Sequence, residues 1–273
     1  MNPVKGMVIT MSAEYENNLV LVEKFPNKVA KVTLNNPPLN ICTLDMMQEL
    51  KNTLKKINAD PDIYCMILCG NEKAFCVGSN LKEIYKVCDD VVDKKLFREN
   101  ETFNMLEYNN VVSIAALEGV ACGGGVEMSL ACDMRIMASD ARLALPEVNS
   151  GLRPGSGCFR LPKLAGPSKA LELMLTGEFI SAAEALGIRM VNRISEPGKA
   201  FDAAMEIADK ITHKSRHSVQ LIRRSVREMW LKTSEECFWQ NLHFSAEIYD
   251  RDEWKEGVNA FMEKRKPDFT KFW

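Results

Sequence analysis

The spacing of apolar and polar positions changes period several times along the chain. Leu19 to Glu23 and Val29 to Leu34 are short apolar, β-branched runs split by Pro26-Asn27-Lys28, which predicts strand, turn, strand. After a loop at Asn35 to Pro38, an apolar stripe of helical period runs through Met46, Met47, Leu50, Leu54 and Ile57, with Thr43 as its N-cap. Asp60-Pro61-Asp62 stops that helix, and Tyr64 to Cys69 reads as a buried strand. Asn71 to Lys82 reads as a loop entering a helix, and Asp89 to Tyr108 as a long, charged helical stretch. Further strands are expected at Val111 to Leu117, Met134 to Ala138 and around Met190 to Ile194. Helices are expected at Val126 to Ala131, Ser168 to Leu175 and Ala182 to Leu186. Pro197-Gly198 marks a change, and from about Lys199 to the end the pattern is helical throughout. Residues 1–13 show no clear pattern. The order implies α/β organisation with a helical C-terminal portion: a core over residues 13–198 and a helical region over 199–273.

Composition narrows the class. The chain has 273 residues, 46% of them hydrophobic and 26% charged, the mix of an ordinary globular protein able to bury a core without staples. A formal net charge of -2 favours neither nucleic acid nor an anionic membrane, and no apolar run approaches a membrane span. Nine cysteines, an odd number with no CxxC pair and no leader-like segment before them, read as free thiols in a reducing cytoplasm.

The densest chemical signal is Leu117-Glu118-Gly119-Val120-Ala121-Cys122-Gly123-Gly124-Gly125-Val126-Glu127. A strand ends, three glycines follow and a helix begins. Such glycines cost backbone entropy, and their use is close approach of a ligand to bare N–H groups at a helix N-terminus. A phosphate loop would continue Gly-Lys-Ser/Thr, whereas Val126 and Glu127 follow, so an oxyanion hole is the better reading. Lys73 to Leu81 also leads from a strand into a helix and could supply a second donor, although alone it is an ordinary loop. Glu127, in an apolar stretch, and Glu147, after Leu143-Ala144-Leu145-Pro146, form a candidate pair for proton transfer beside a polarised carbonyl. Spacing alone would make each a surface or salt-bridged residue; only their joint placement gives them a role. His213, His217 and His243 lie in the helical C-terminal part without a metal-ligand pattern, and neither a GxSxG elbow nor a GxGxxG fingerprint is present.

Several segments in order resemble the crotonase superfamily of enoyl-CoA hydratases and isomerases. KAFCVGSNL (residues 73–81) resembles AF(C/S)xGxDL, and GVACGGGVEMSLACD (119–133) resembles GxxxGGGxExxxxCD. LPEVNSGLRPG (145–155), LELMLTGEFISAAEAL (171–186) and the tail EGVNAFMEKRKPDF (256–269) match further elements, so the likeness covers residues 18 to 269. It implies a spiral of ββα units followed by a helical trimerisation region, assembled as a trimer or dimer of trimers. It also implies an acyl-CoA thioester as substrate, with coenzyme A entering as part of that substrate and no metal or other cofactor. Residue by residue, it implies oxyanion N–H donors at Ser79 and Gly124, and an acid/base pair at Glu127 and Glu147. Substrate contacts are implied at Phe75, Cys76, Gly123 and Gly155, with Lys82 and Lys264 near the coenzyme A phosphates and Lys264 acting from a neighbouring subunit.

Three departures bear on this. Asn80 stands where the family usually has Asp, Ser156-Gly157-Cys158-Phe159 replaces a common GGTQ run, and Val120-Ala121-Cys122 is unusual before the glycines. They leave open a specialised substrate or loss of classical hydration. Hydration or dehydration of a 2-enoyl-CoA is the first reading, because two glutamates are present where an isomerase manages with the one at Glu147. An isomerase or another thioester-enolate enzyme is the alternative. A non-catalytic scaffold or RNA-binding relative would call for a broad basic face or a lost glutamate, and the sequence has neither.

Overall fold

Thr43 shows how closely local chemistry sets the first helix. Its hydroxyl accepts the Met46 N–H at 3.1 Å, Leu44–Ala59 forms α1, and the five apolar stripe residues are all buried beneath it. The computed structural model describes residues 18–272. Residues 1–13, and the first residues of the core expected from position 13, lie outside that range. The chain divides into two compact units between Ala208 and Asp209.

Among the described residues of the first unit there are ten strands: β1 (Val20–Phe25), β2 (Val29–Leu34), β3 (Cys65–Cys69), β4 (Ala74–Cys76), β5 (Val112–Leu117), β6 (Val120–Cys122), β7 (Met134–Ala138), β8 (Arg142–Ala144), β9 (Ile180–Ser181) and β10 (Arg193–Ser195). They form a six-stranded sheet ordered β1-β2-β3-β5-β7-β10 and a four-stranded sheet ordered β4-β6-β8-β9. Among the described strands only the β1/β2 hairpin and the β8/β9 pair are antiparallel. Each of β3-β4, β5-β6 and β7-β8 thus sends one strand to each sheet before the chain returns through helix. Three successive ββα turns stacked in parallel make the spiral that the resemblance implied. β3 and β5 are buried along their whole length, as central parallel strands covered on both faces must be.

The helices that follow α1 are α2 (Leu81–Lys86), α3 (Phe97–Glu107), α4 (Gly124–Leu130), α5 (Gly157–Ala165), α6 (Pro167–Thr176), α7 (Ala182–Gly187) and α8 (Ala200–Thr212). The second unit holds α9 (Arg216–Glu228), α10 (Ser234–Tyr249) and α11 (Glu253–Met262). Thr233 and Glu236 close a capping box on α10, while Glu256 of α11 accepts from Arg265 at 2.6 Å and Lys271 at 2.8 Å.

Several expectations shift. The stretch from Asp89 to Tyr108 is not one helix: a 3-10 turn at Cys88–Asp90 and a π turn at Val92–Leu96 precede α3. β4 and β6 are three residues each, too short to show a period, and exist because they pair with each other and with β8. The last strand falls at Arg193–Ser195, beyond Met190, because it pairs with Ile136–Ala138 of β7. Among the described residues no helix is long and apolar enough to cross a membrane.

Candidate functional site

Parallel neighbours end at the same edge of a sheet, so the loops after β4, β6 and β8 emerge side by side. Ligands commonly bind at such carboxyl ends of parallel strands. The loop after β4 carries Ser79, the turn after β6 carries Gly123, and Glu147 follows β8. Residues far apart in sequence therefore share one cavity of about 690 Å³, lined by Ser79, Gly124, Glu127, Glu147 and a wall of apolar side chains that includes Leu96 and Phe159.

The three glycines serve three different needs. Gly123 has φ +51, and a Cβ there would lie 2.8 Å from Glu147 Oε1, so both its conformation and the nearness of the carboxylate exclude a side chain. Gly125 lets α4 pack on β4, since an added Cβ would fall 2.0 Å from the Cys76 carbonyl oxygen. Gly124 opens onto the cavity, where an added Cβ would meet nothing nearer than 3.5 Å and would sit 3.6 Å from Ser79 N. As the first residue of α4, Gly124 carries an N–H with no acceptor inside the helix.

Ser79 supplies the opposite face. Cys42 N–H bonds to Gly78 O at 2.8 Å and Asn80 N–H bonds to Cys42 O at 3.0 Å. In a parallel bridge of this kind Ser79's own N–H points away from Cys42. Asn80 caps α2 through Oδ1, 3.0 Å from Lys82 N and 3.4 Å from Glu83 N, so the change from the family's Asp keeps the cap.

The carboxylates sit on the remaining sides. Glu127 is 5% exposed, and its Oε1 accepts the Gly157 N–H at 2.7 Å. Burial pushes its pKa up to about 7; the Gly157 hydrogen bond opposes the rise, and the charge of Glu147 adds to it. Arg160 draws it down from α5, where it is buried and held by Glu107 and Asn104. Burial also raises Glu147, whose Oε2 is buried without a hydrogen-bond partner. Both shifts move these carboxyl groups toward the pH range in which a group can both give and take protons, which is what acid/base chemistry at this site needs.

The expected residues do not all converge. Ser79, Gly123, Gly124, Glu127, Glu147 and Gly155 line the cavity. Phe75 and Cys76 are fully buried and support the site from the core, behind the cavity wall that starts at Val77. Lys82 is exposed on α2, and Lys264 belongs to the second unit, with φ +54 just past α11. Among the described residues no group of three or more His, Cys, Asp and Glu is arranged to hold a metal ion.

Three participants escaped the sequence reading. The Gly157 N–H serves Glu127 from thirty residues away. Glu99 and Asn100 line the cavity from α3, and a Cβ on Gly155 would lie 3.5 Å from Asn100 Nδ2 and 3.6 Å from Glu127 Oε1. Lys95 and Glu99 stand i,i+4 apart, a spacing that ordinarily marks an ion pair on a solvated helix face. The only warning in the sequence was the length of the charged stretch.

Comparison with known proteins follows the same outline. A family model described as enoyl-CoA hydratase/isomerase matches residues 24–271. The chain is 36% identical over 256 residues to the short-chain-enoyl-CoA hydratase of Clostridium acetobutylicum, covering 92% of this chain and 97% of that one. It is 31% identical over 260 residues to the crotonyl-CoA hydratase of Syntrophomonas wolfei, covering 93% and 98%. The crystal structure of an enoyl-CoA hydratase from Bacillus anthracis is similar with a TM-score of 0.88 at 33% identity, over 92% of this chain and 98% of that one.

Proposed function

The chain belongs to the enoyl-CoA hydratase/isomerase family and is a lyase of the enoyl-CoA hydratase type, and we propose that it adds water to a short-chain 2-enoyl-CoA with Glu127 and Glu147 as the acid/base pair. The observation that carries this reading is the shared cavity: two carboxyl groups of raised pKa line it together with Ser79 and Gly124, and a Cβ on Gly124 would lie 3.6 Å from Ser79 N. The thioester oxygen sits between the N–H groups of Ser79 and Gly124. As the hydroxyl of water bonds to the β-carbon, the double-bond electrons shift toward the thioester and the oxygen takes on enolate charge. Each donor aimed at that charge is worth about 3 kcal/mol. Glu147, over Gly123 and next to the oxyanion gap, gives its proton to the α-carbon. Glu127, beside Asn100 and Gly155, takes the proton that water releases. The net change is addition of H and OH, and proton exchange with solvent resets the pair.

The chemistry uses the chain's own residues, and coenzyme A enters as part of the substrate. Lys82 and a partner subunit's copy of Lys264 are the proposed contacts for its phosphates. The helices from 199 to 273 are the proposed trimerisation region, as a trimer or dimer of trimers; exposed Trp239 and Phe261 on α10 and α11 support this. Nine free thiols, Cys42 and Cys76 only 3.3 Å apart among them, support a reducing cytoplasm.

The test is an absorbance assay with crotonyl-CoA and longer enoyl-CoAs on the wild type, Glu127→Ala and Glu147→Ala. Loss of the conjugated-enoyl absorbance with wild type, abolished in both variants, is expected. A wild type that binds the thioesters and leaves all of them unchanged overturns hydration, and one that only moves the double bond is an isomerase.

A further inference from the structure

Resting on the hydratase reading, we infer that Glu99, locked in place by the buried Lys95, is a positioning residue for the oxyanion donor at Ser79. Ser79 Oγ donates to Glu99 Oε2 at 2.6 Å, the short distance of a charge-assisted bond. Lys95 is wholly buried, with Nζ 2.9 Å from Glu99 Oε1 and 2.9 Å from Glu83 Oε2. The contact to Glu99 Oε1 is an ion pair by distance rather than an aligned hydrogen bond. The same ammonium donates to Cys42 O at 3.2 Å, and Cys42 is the residue whose backbone clamps Gly78 and Asn80 on either side of Ser79. One buried cation therefore ties together both restraints on the donor: the side-chain tether through Glu99 and the backbone clamp through Cys42.

The local backbone is built to bring Lys95 there. Val92–Leu96 forms a π turn, in which Phe97 N–H reaches Val92 O, and such turns are frequent at functional sites. Burying an ammonium and a carboxylate is expensive, and apolar replacements are often as stable, so stability alone does not account for the pair. Catalysis does: an oxyanion donor works when its direction is set before the charge develops. A bare carboxylate lining the cavity would oppose an oxyanion, and Lys95 offsets that charge at the point where Glu99 holds Ser79.

Ser79→Ala keeps the N–H and removes the tether, and Glu99→Gln keeps the shape and removes the charge. Each is expected to lower kcat on crotonyl-CoA by about ten-fold with KM within about two-fold, the pattern of an interaction made in the transition state. The decisive readout is binding of acetoacetyl-CoA, a 3-oxoacyl thioester whose enolate absorbs in the ultraviolet, against butyryl-CoA, which forms no enolate under these conditions. The enolate band at saturation should fall about ten-fold in both variants, with butyryl-CoA affinity unchanged. Enolate formation equal to wild type in both variants, or parallel loss of affinity for both ligands, overturns the inference. Because Lys95→Met leaves Glu99 buried without its cation, it is paired with Lys95→Met/Glu99→Gln. The double variant should fold and show the same weakened enolate band, and a band of wild-type strength would count against the positioning role. A wild type that binds acetoacetyl-CoA as enolate but does not hydrate crotonyl-CoA defeats the hydratase reading instead.

Discussion

Replacing Glu127 with glutamine should make the protein more stable above neutral pH while nearly abolishing its activity. The carboxyl is 5% exposed, and burial raises its pKa from 4.5 to about 7. At about 1.4 kcal/mol per pH unit, that rise corresponds to roughly 3 kcal/mol of stability lost when the folded protein must carry the ionised form. The sign follows from which state holds the proton more tightly. The folded state does, so no cost exists below the unfolded pKa near 4.5; it grows as pH rises toward 7 and is fully present above. Glutamine keeps an oxygen for the Gly157 N–H and never ionises. Urea unfolding of wild type and Glu127→Gln, at one protein concentration and at pH 5 and pH 8, measures the difference directly. The variant's advantage should grow by about 2–3 kcal/mol between the two pH values, while kcat falls by roughly 10²- to 10⁴-fold. An advantage that stays constant to within about 0.5 kcal/mol across that range would refute the raised pKa, and with it the reason for Glu127 to exchange protons near pH 7.

Other consequences are as specific. Glu147→Gln should lower kcat by about 10²- to 10⁴-fold in the hydration assay with little change in KM, and a change confined to KM would remove Glu147 from proton transfer. Gly125→Ala drives a Cβ to 2.0 Å from backbone at Cys76 and should cost about 3 kcal/mol or more in thermal unfolding. Gly151→Ala, with φ +67 but open space around it, should cost only about 1–2 kcal/mol; equal losses would show that crowding at Gly125 is not the cause. Thr43→Ala should cost about 1 kcal/mol in urea unfolding and leave kcat unchanged, because it removes only the α1 cap. Light scattering on a sizing column should give three or six times 30.8 kDa, and a monomer mass would defeat the trimerisation proposal.

Long periodic elements were legible in the sequence because their pattern is local. β2 and β7 lie at the expected residues, and α1 begins at its cap and buries the stripe its spacing announced. The glycine triplet was legible as a place where backbone must be bare. Short elements were not: β4 and β6 have three residues each, and their identity comes from partners 22 to 46 residues away, as in Val120 with Arg142 and Ala74 with Val120.

The sequence by itself determined the kinds of group available, three glycines opening a helix and two acids in apolar settings, since side-chain chemistry and local periodicity belong to the chain. Only the tertiary structure decided which groups meet. Parallel pairing of β4, β6 and β8 brings Ser79, Gly124 and Glu147 to one edge, a long-range register that no local pattern encodes. The same folding separated the three glycines into a turn beside a carboxylate, an open donor and a packing contact. It turned Lys95 and Glu99, whose spacing fits any solvated helix face, into a buried ion pair against Ser79, because burial is set by what packs over a residue rather than by its neighbours in sequence.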